Sequence, residues 1–414
     1  MTSTKVLFTG GSVQADNRGI EAIVLGSIYS IQNARSGVAF TTLSGRYSHT
    51  QTSGVDIDLG SGEQLKEFRL VGIEIPILLL MSVVYRILPN RLRSKFLDTR
   101  PILMAYVSAD VVIGISAGDS FSDIYGYRQF ISHYLIDLVA IVLRKPLVIF
   151  PQTIGPFERA FSRLLARYML KRARMVFTRE RFSTITVEDL CGGKADIVEK
   201  DDMAFLLRPV QPVGGGAFSS NRETVGMNIS GYIYSNRSVN LLKDFDYFRL
   251  MRKLVDLFID EFDVDVLFVP HDYSRIPKID DDLVACDALL STISDRHQGR
   301  VSIVREHLRA ASLKSIVGNC SFFIGSRLHS CIAALSMGIP AVPLAYSYKY
   351  RGVMEKIGLE DLVCDPRVEE EAAILARVRD FYINRDELTR LLKTRLPAVI
   401  DSALSCGLHI DGLI

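Results

Sequence analysis

The feature that most constrains the fold is a repeated alternation of short apolar, β-branched runs with longer amphipathic stretches. This alternation is typical of parallel strands joined by crossover helices, so it predicts an α/β fold. The strands predicted in the first half of the chain are Lys5–Thr9, Val38–Leu43, Asp110–Ile115, Pro146–Phe150 and Met175–Thr178. The helices predicted there are Ile20–Gln32, Tyr125–Leu143 and Phe157–Arg174.

The chain has 414 residues, which is enough for two such domains. Residues 208–224 lose all periodicity and collect proline, glycine and serine, which predicts a linker between domains 1–207 and 225–368. Residues 369–414 follow a helical pattern, and this segment could return to the first domain. The strands predicted in the second domain are Thr224–Ile229, Val264–Val269, Val301–Val304, Phe322–Gly325 and Ala341–Leu344.

The overall charge is nearly balanced, with 49 Lys and Arg against 47 Asp and Glu, so we expect no nucleic-acid partner. The six cysteines form no C-x-x-C pair and no zinc-like spacing with histidine, which predicts buried thiols and no metal site. The first residues lack the basic and long apolar regions of a signal peptide. These features favour a cytoplasmic protein.

One segment departs from the soluble pattern. Residues 75–85, IPILLLMSVVY, are almost continuously apolar, and a basic stretch follows at 86–95. The eleven apolar residues are too few to span a bilayer, which takes about twenty. Two interpretations stay open: a buried core helix, or an interfacial helix whose arginines meet anionic lipid at the inner face of the cell membrane.

The most informative block covers residues 322–359, FFIGSRLHSCIAALSMGIPAVPLAYSYKYRGVMEKIGL. A strand ends and a helix begins within it, at the edge where doubly wound sheets bind anions and other ligands. Polar and basic residues follow this strand and the next one. They are Ser326, Arg327, His329, Lys349 and Arg351. The block therefore predicts a phosphate and carboxylate site with an acid/base residue, although the same residues could instead satisfy buried backbone groups and solvate a loop.

This block resembles the C-terminal motif of the polysaccharide pyruvyl transferase family, which reads R-L-H, then A-L-x-x-G-I-P, then a strand and K-x-R-G. Further matches to the family occur upstream, in the family's order and over nearly the whole chain. They are N-x-G-x-E-A at residues 17–22, the glycine-rich strand end at 114–125, Q-x-x-G-P within 150–157, R-(D/E)-x-x-S within 178–183 and D-x-A-F within 200–207.

The resemblance implies two Rossmann-like domains facing a central cleft, as in the GT-B-type glycosyltransferases. It also implies transfer of the enolpyruvyl unit of phosphoenolpyruvate (PEP) onto two hydroxyls of a saccharide as a cyclic ketal, with release of phosphate. PEP is then a substrate, and neither a cofactor nor a metal is expected. The acceptor would be a cell-surface saccharide or its lipid-linked precursor, and a homo-oligomer stays open.

Matching positions carry the family's donor site onto this chain. His329 becomes the acid/base or phosphate-contacting residue, and Arg327, Lys349, Arg351 and Ser326 become the donor-anion ligands. Arg179 is expected to reach the PEP carboxylate across the cleft, or else to pair structurally with Glu180 or Asp202.

The acceptor would be held by the first domain. The loop residues expected to line its site are Gly10, Gly11, Asn17, Gly19 and Glu21. Gln152 is a weaker candidate, and Asp119 and Asp123 would bind sugar hydroxyls or act as a base. The alternative roles are structural: Glu21 could lie at a helix N-terminus, where the macrodipole favours a carboxylate, and the two aspartates could cap a helix.

Two positions depart from the family pattern. Ile20 stands where relatives usually have an acidic residue, and Ser230 and Gly231 follow the first strand of the second domain, where relatives often have an arginine. Arg237 is the candidate substitute for that arginine.

Two other functions stay open. One is a nucleotide-sugar-dependent glycosyltransferase of the same architecture, although Glu355 alone offers an acidic residue in the C-terminal block to hold a ribose. The other is a non-catalytic relative that binds a phosphorylated metabolite.

Overall fold

The chain forms two compact α/β units, each described here by itself. The computed structural model describes residues 4–46, 52–58, 64–124, 126–212, 222–235, 242, 245–273 and 280–414. The first unit comprises Met1–Ala15, Ile23–Met203 and Ser402–Ile414, and the second comprises Asp16–Ala22 and Ala204–Asp401. This division differs from the predicted boundaries because residues 16–22 join the second unit.

The first unit is built on an eight-stranded sheet. Its strands are β1 (Thr4–Thr9), β2 (Val38–Arg46), β3 (Thr52–Asp58), β4 (Gln64–Val71), β5 (Val111–Gly114), β6 (Leu147–Gln152), β7 (Met175–Thr178) and β8 (Ile197–Glu199). The order is β3-β4-β2-β1-β5-β6-β7-β8, and only β3 is antiparallel to its neighbour. The chain leaves β1 toward β2 on one side and later continues from β5 on the other, so the topological switch point lies between β1 and β5.

Helices cover this sheet, and α5 contacts both α2 and α6. Apolar residues of these helices, such as Phe130 and Met169, pack on the strands in one continuous core. The helices are α1 (Arg18–Ala34), α2 (Glu74–Ile87), α3 (Asn90–Leu97), α4 (Pro101–Ser108), α5 (Tyr127–Val142), α6 (Ala160–Leu170) and α7 (Arg181–Cys191). Among the described residues, no helix has the length and apolar character needed to cross a bilayer.

The second unit has a five-stranded sheet in which every neighbouring pair is parallel. Its strands are β9 (Thr224–Asn228), β10 (Asp265–Phe268), β11 (Val301–Ile303), β12 (Phe322–Gly325) and β13 (Ala341–Pro343). The order is β11-β10-β9-β12-β13. All five carboxyl ends therefore meet at one edge of the sheet.

The remaining helices complete the chain. They are α8 (Gly231–Ser235), α9 (Tyr247–Phe262), α10 (Asp282–Leu290), α11 (Asp295–Gln298), α12 (Ala310–Val317), α13 (Leu328–Leu335), α14 (Lys349–Lys356), α15 (Glu371–Ile383) and α16 (Arg385–Asp411). Within the described residues, 3-10 turns occur at Ser116–Gly118, Met203–Leu206 and Glu360–Leu362. The predicted α/β class is confirmed for both units.

Some predicted elements have other bounds in the structure. The helix predicted from Phe157 begins only at Ala160, and the helical tail divides between α15 and α16 near Asn384. Most of the predicted linker, residues 213–221, lies outside the described residues, as do Tyr125 and Arg237.

The end of α16 packs on α1 within the first unit, at Gly407. The N–H of Gly407 donates to Ser30 Oγ at 2.9 Å. A Cβ on Gly407 would lie 2.0 Å from the Ser30 carbonyl oxygen, which is far closer than any van der Waals contact. The absence of a side chain at this position therefore allows the two helix backbones to meet.

We predict that Gly407→Ala destabilises the first unit by about 1–3 kcal/mol, because the new methyl group forces the helices apart. Chemical denaturation followed by circular dichroism measures the loss. Gly412→Ala is the matched control, since the nearest atom to its Cβ is at an ordinary 3.6 Å. Equal stability of the two variants would contradict this account of the contact.

Candidate functional site

The candidate site lies at the edge of the second sheet where the strands end. His271 and Asp272 follow β10, and Arg327 and His329 follow β12. The segment 16–22 packs alongside the first pair: the N–H of Arg18 donates to the carbonyl of His271 at 3.0 Å. The opening loop of the chain is therefore part of this site rather than of the first domain, which corrects the predicted location of Asn17, Gly19 and Glu21.

His329 lies in the first turn of α13 and is half-buried. Its imidazole packs against the backbone of Gly19, where an added Cβ would lie 2.5 Å from Nδ1. Only glycine leaves room for the ring in this position. The sequence predicted that both residues belong to the site, and the structure shows that they are in direct contact.

His271 is buried next to His329. Burial lowers the pKa of His271 well below its ordinary value, and the nearby His329, Arg327 and Arg18 lower it further. The ring is therefore uncharged at neutral pH. The sequence analysis did not select His271, because a single histidine after a strand is common and does not by itself indicate a site.

A buried carboxylate joins the loops of this edge. Asp282, the first residue of α10, has no exposed surface. Its two oxygens accept hydrogen bonds from groups that follow β9, β10 and β12. The donors are the N–H groups of Gly231, His271 and Asp272, the amide of Asn228 and the guanidinium of Arg327, at 2.8 to 3.2 Å. Sequence reasoning did not select Asp282.

Arg327 supplies the cation of this cluster. Its Nη2 lies 2.5 Å from Asp280 and 2.8 Å from Asp282, and its Nη1 lies 3.5 Å from Asp272. Burial raises the pKa of Asp272, and Arg327 opposes the shift. The guanidinium is thus engaged by three aspartates, so the predicted contact with donor anions requires it to exchange partners.

Asn17 connects the opening loop to the same cluster. Its Nδ2 donates to Asp272 Oδ2 at 2.7 Å, while its Oδ1 accepts from the N–H of Gly19 at 2.9 Å. The amide therefore fixes the backbone on which His329 packs. This geometry supports a positioning role rather than direct contact with an acceptor.

Ser326 does not present its hydroxyl at the edge. The residue is fully buried, and its Oγ lies 2.6 Å from the hydroxyl of Tyr247. The hydroxyl of Tyr350 donates to its carbonyl at 2.8 Å. The predicted donor contact through this side chain is wrong, because Tyr247 already occupies it.

Lys349 and Arg351 lie in the first turn of α14, after β13. Lys349 Nζ lies 5.8 Å from the ring centroid of Tyr346. Burial raises the pKa of Tyr232, while Lys349 and Arg327 lower it, so both cations are near this second ring. Arg351 is exposed on the same helix. The structure therefore places the predicted K-x-R cations at the edge that also holds His329.

Glu21 is a buried member of an ion-pair network. It lies in the first turn of α1, and its Oε1 accepts from Arg309 Nε at 3.0 Å. Arg18 Nη1 lies 3.6 Å from its other oxygen. Burial raises the pKa of Glu21 to about 7, although Arg309 and Arg18 oppose the shift. The alternative of a carboxylate at a helix N-terminus is thus confirmed, with two arginines in addition.

The first unit holds the other predicted site residues, and Arg179 is a structural cation there. It is 1% exposed, and its guanidinium binds Asp202 and Thr153 at 2.6 Å and Glu180 at 3.3 Å. The prediction that Arg179 reaches the donor is therefore wrong, and the structural alternative holds. The hydrogen bonds among these buried groups offset the free-energy cost of removing them from water.

Asp123 and Gln152 are also engaged inside the first unit. Asp123 accepts from the N–H groups of Glu158 and Arg159 at 2.9 and 3.0 Å. These groups precede α6 and not α5, the helix that follows Asp123, so they do not confirm the predicted capping of the following helix. Gln152 has no exposed surface, and its Nε2 donates to the carbonyl of Gly114 at 3.2 Å. Both side chains are thus held by hydrogen bonds within the first unit.

Asp119 remains as a partly exposed carboxylate at the switch point between β1 and β5. It is close enough to affect the pKa of Arg179 and of His133. The backbone here is strained, with positive φ at Gly10, Ser116 and Ala117. Gly11, in the same loop, packs against α1, where a Cβ would lie 2.7 Å from Val24.

Several buried polar atoms at this switch point make no hydrogen bond to any residue that the structure describes. They are Ser116 Oγ, His133 Nδ1, Asp137 Oδ2 and Gln152 Oε1. Burial lowers the pKa of His133 to about 4 and raises that of Asp137 to about 7. Sequence reasoning missed His133 and Asp137, although their spacing places both on one face of a helix that follows a glycine-rich strand end.

Among the described residues, Asp256, Asp260 and His297 are the group whose spacing could hold a metal ion. Both ring nitrogens of His297 lie 2.9 Å from oxygens of the two aspartates. These contacts form a hydrogen-bonded network between α9 and α11. The expectation that the reaction uses no metal stays a prediction.

Comparison with known proteins adds a sequence match. A family model described as polysaccharide pyruvyl transferase matches residues 17–348. The amylovoran biosynthesis protein AmsJ of Erwinia amylovora is 24% identical over 289 residues, which cover 67% of each chain.

Two solved structures are similar in fold. A candidate UDP-N-acetylglucosamine 2-epimerase of Listeria monocytogenes has a TM-score of 0.55 and 12% identity, over 98% of this chain and 94% of that one. The α,α-trehalose 6-phosphate synthase of Burkholderia multivorans has a TM-score of 0.55 and 9% identity, over 100% and 96%. At these identities the likeness shows only the fold, which is that of GT-B-type glycosyltransferases and epimerases.

We predict that Asp282→Asn destabilises the second unit by about 3 kcal/mol or more, because it leaves Arg327 buried with less opposing charge and removes an acceptor from three loops. Thermal unfolding measures the effect. Asp281→Asn is the matched control, since Asp281 caps α10 through the N–H of Leu283 and asparagine caps equally well. Equal melting of both variants would contradict a central role for Asp282.

Proposed function

Because the chain belongs to the polysaccharide pyruvyl transferase family, we propose that it transfers the enolpyruvyl unit of PEP to two hydroxyls of a saccharide. The product is a cyclic pyruvate ketal, and phosphate is released. The family and the relative from amylovoran biosynthesis support a role in polysaccharide biosynthesis. The observation that supports the finer proposal is that His329 and the α14 cations follow neighbouring strands at the same carboxyl edge of a parallel sheet.

The donor requires two anion sites, one for its phosphate and one for its carboxylate. Lys349 and Arg351 carry the positive charge at the start of α14, and the first turn of α13 adds backbone N–H groups and the positive end of its dipole. We assign donor binding first to these groups. Arg327 would then act mainly by holding the loops in place, because three aspartates already surround it.

The chemistry needs one proton delivered and one removed at each addition. Protonation of the PEP methylene carbon makes C2 electrophilic, and the first sugar hydroxyl adds there while losing its proton. Phosphate then leaves with a proton, and the second hydroxyl closes the ring. His329 is the residue proposed to move these protons, since imidazole serves as both acid and base near neutral pH.

His271 is proposed as a positioning residue for His329. Burial keeps its ring uncharged, so the two histidines do not repel each other as two cations would. His271 therefore adds no positive charge next to His329.

The acceptor is proposed to bind at the switch point of the first sheet. Open α/β sheets bind ligands at such points, and here the strained Ser116–Gly118 turn and buried unpaired polar atoms accompany the partly exposed Asp119. Asp119 is the residue proposed to bind a sugar hydroxyl. Buried polar atoms without partners are rare in proteins and favour a ligand or ordered water nearby.

A second candidate function is glycosyl transfer from a nucleotide sugar. Its support is the fold shared with the trehalose 6-phosphate synthase. The fold alone hosts many chemistries, so it weighs less than the family match.

We predict that the purified protein binds PEP in preference to a panel of nucleotide sugars when titrated by calorimetry. Lys349→Gln should weaken PEP binding by about tenfold, because it removes one charge-assisted contact. Arg252→Gln, an exposed arginine of α9, is the matched control and should bind normally. Selective binding of a nucleotide sugar would instead identify a glycosyltransferase.

We predict that His329→Ala lowers PEP-dependent phosphate release by about two orders of magnitude or more, with unchanged unfolding. Gly19→Ala should also lower it, because the new methyl group displaces the imidazole. Gly299→Ala is the control for the glycine change, since its Cβ would meet no atom within 4 Å. Wild-type turnover in His329→Ala would remove this residue from the chemistry.

A further inference from the structure

Exposed large hydrophobic side chains are concentrated in one part of the first unit. Of the twenty in the described chain, thirteen lie between Ile73 and Ile185, in or beside helices α2 to α7. Soluble proteins seldom expose large apolar areas without a binding partner. The clustering therefore points to a contact surface rather than to scattered surface residues.

Helix α2 is buried on one side and apolar on the other. Ile75, Leu78 and Ser82 face the core. The opposite stripe includes Leu80 and Ile87, which are 64% and 77% exposed. The interpretation as a core helix is thus confirmed for one side of α2, while the interfacial interpretation stays a prediction for the exposed side.

Helix α3 continues this region with positive charge. It contains Arg91, Arg93 and Lys95, and no acidic residue occurs between Glu74 and Asp98. The guanidinium of Arg93 lies over the ring of Tyr85, 5.3 Å from its centroid, which fixes α3 beside the end of α2. The apolar stripe is therefore followed at once by a cationic segment.

Helix α6 also combines exposed apolar side chains with basic residues. The sequence analysis did not detect this second amphipathic region. Ser162, Ala166 and Met169 face inward, whereas Phe161 and Leu164 are 53% and 61% exposed. Basic residues accompany this apolar stripe throughout residues 158–174, where Glu158 is the one acid. They are Arg159, Arg163, Arg167, Lys171, Arg172 and Arg174.

The two amphipathic regions belong to one layer, because α5 contacts both α2 and α6. We propose that the outer sides of α2, α3 and α6, here named the cationic helical surface, bind the headgroup region of an anionic lipid bilayer. Exposed apolar side chains would enter the interface, and the arginines and lysines would meet lipid phosphates. This inference stands apart from the proposed reaction and does not depend on it.

Charge distinguishes this partner from a second copy of the chain. A symmetric dimer through this surface would place the same patch on both sides and bring two cationic regions together. Such like-charge contact is unfavourable, whereas an anionic bilayer offers both opposite charge and an apolar interior. The surface therefore fits a bilayer better than itself.

The test is flotation of the full-length protein with two kinds of vesicle, phosphatidylcholine alone and phosphatidylcholine with phosphatidylglycerol. We expect binding only to the second kind, with a partition coefficient that falls as salt is added. Arg163→Gln with Arg167→Gln should lower it at least tenfold, since each basic residue near an anionic surface contributes about a fivefold factor. Leu80→Ser and Leu164→Ser should each lower it by about tenfold.

The matched controls lie in the second unit and make the same changes of charge and polarity. Arg252→Gln with Lys393→Gln controls for net charge, and Ile383→Ser controls for loss of an exposed apolar side chain. Both controls should bind like the wild type, and circular dichroism verifies that every variant is folded. The proposal is overturned if the wild type ignores anionic vesicles, if the controls lose binding equally, or if Leu80→Ser dissociates a dimer in solution without any vesicle binding.

Discussion

The second unit depends on the buried carboxylate of Asp282. Three strands end beside one another, and the loops that follow them would otherwise leave backbone N–H groups without acceptors. One carboxylate satisfies these groups and also the guanidinium of Arg327. Because a buried charge is costly unless paired, Asp282 and Arg327 stabilise the edge only together. His329 lies in the first turn of α13, directly after Arg327, whose position this pair fixes.

The contact between Gly19 and His329 sets the position of the imidazole at the carboxyl edge of the second sheet. A backbone without a side chain lets the imidazole lie against the opening loop, and Asn17 holds that loop in position. His271 is kept neutral by burial nearby. The two histidines thus carry the same side chain in different surroundings, because His271 is buried and His329 is half-buried.

The sequence predicted the elements whose signals are local. The strand, turn and helix around His329 follow from the apolar run and its flanking residues, and they occur in the structure as β12 and α13. For Arg179 the sequence named Asp202, 23 positions away, as a possible partner, but it could not decide between that pairing and a contact with the donor. The role of Ser326 could not be predicted, because its partner Tyr247 lies 79 positions away. The place of Asn17 was missed for the same reason, since Asp272 is 255 positions away. The hydrophobic periodicity of a segment indicates which of its residues are buried. It does not indicate which side chains from distant parts of the sequence they contact.

Helix α1 has a consequence for how this chain can be divided. Its first turn belongs to the second unit and the rest to the first, without an intervening loop. A single cut near residues 208–224 would therefore not release two complete modules, because the C-terminal fragment would lack the strand-like contact of Asn17 with Asp272 and the glycine beneath His329. Helix α16 is divided in the same way, because Asp401 belongs to the second unit and Ser402 to the first. A chimera that joins the N-terminal half of this chain to the C-terminal half of a relative would therefore still contain residues 16–22 of this chain's second unit.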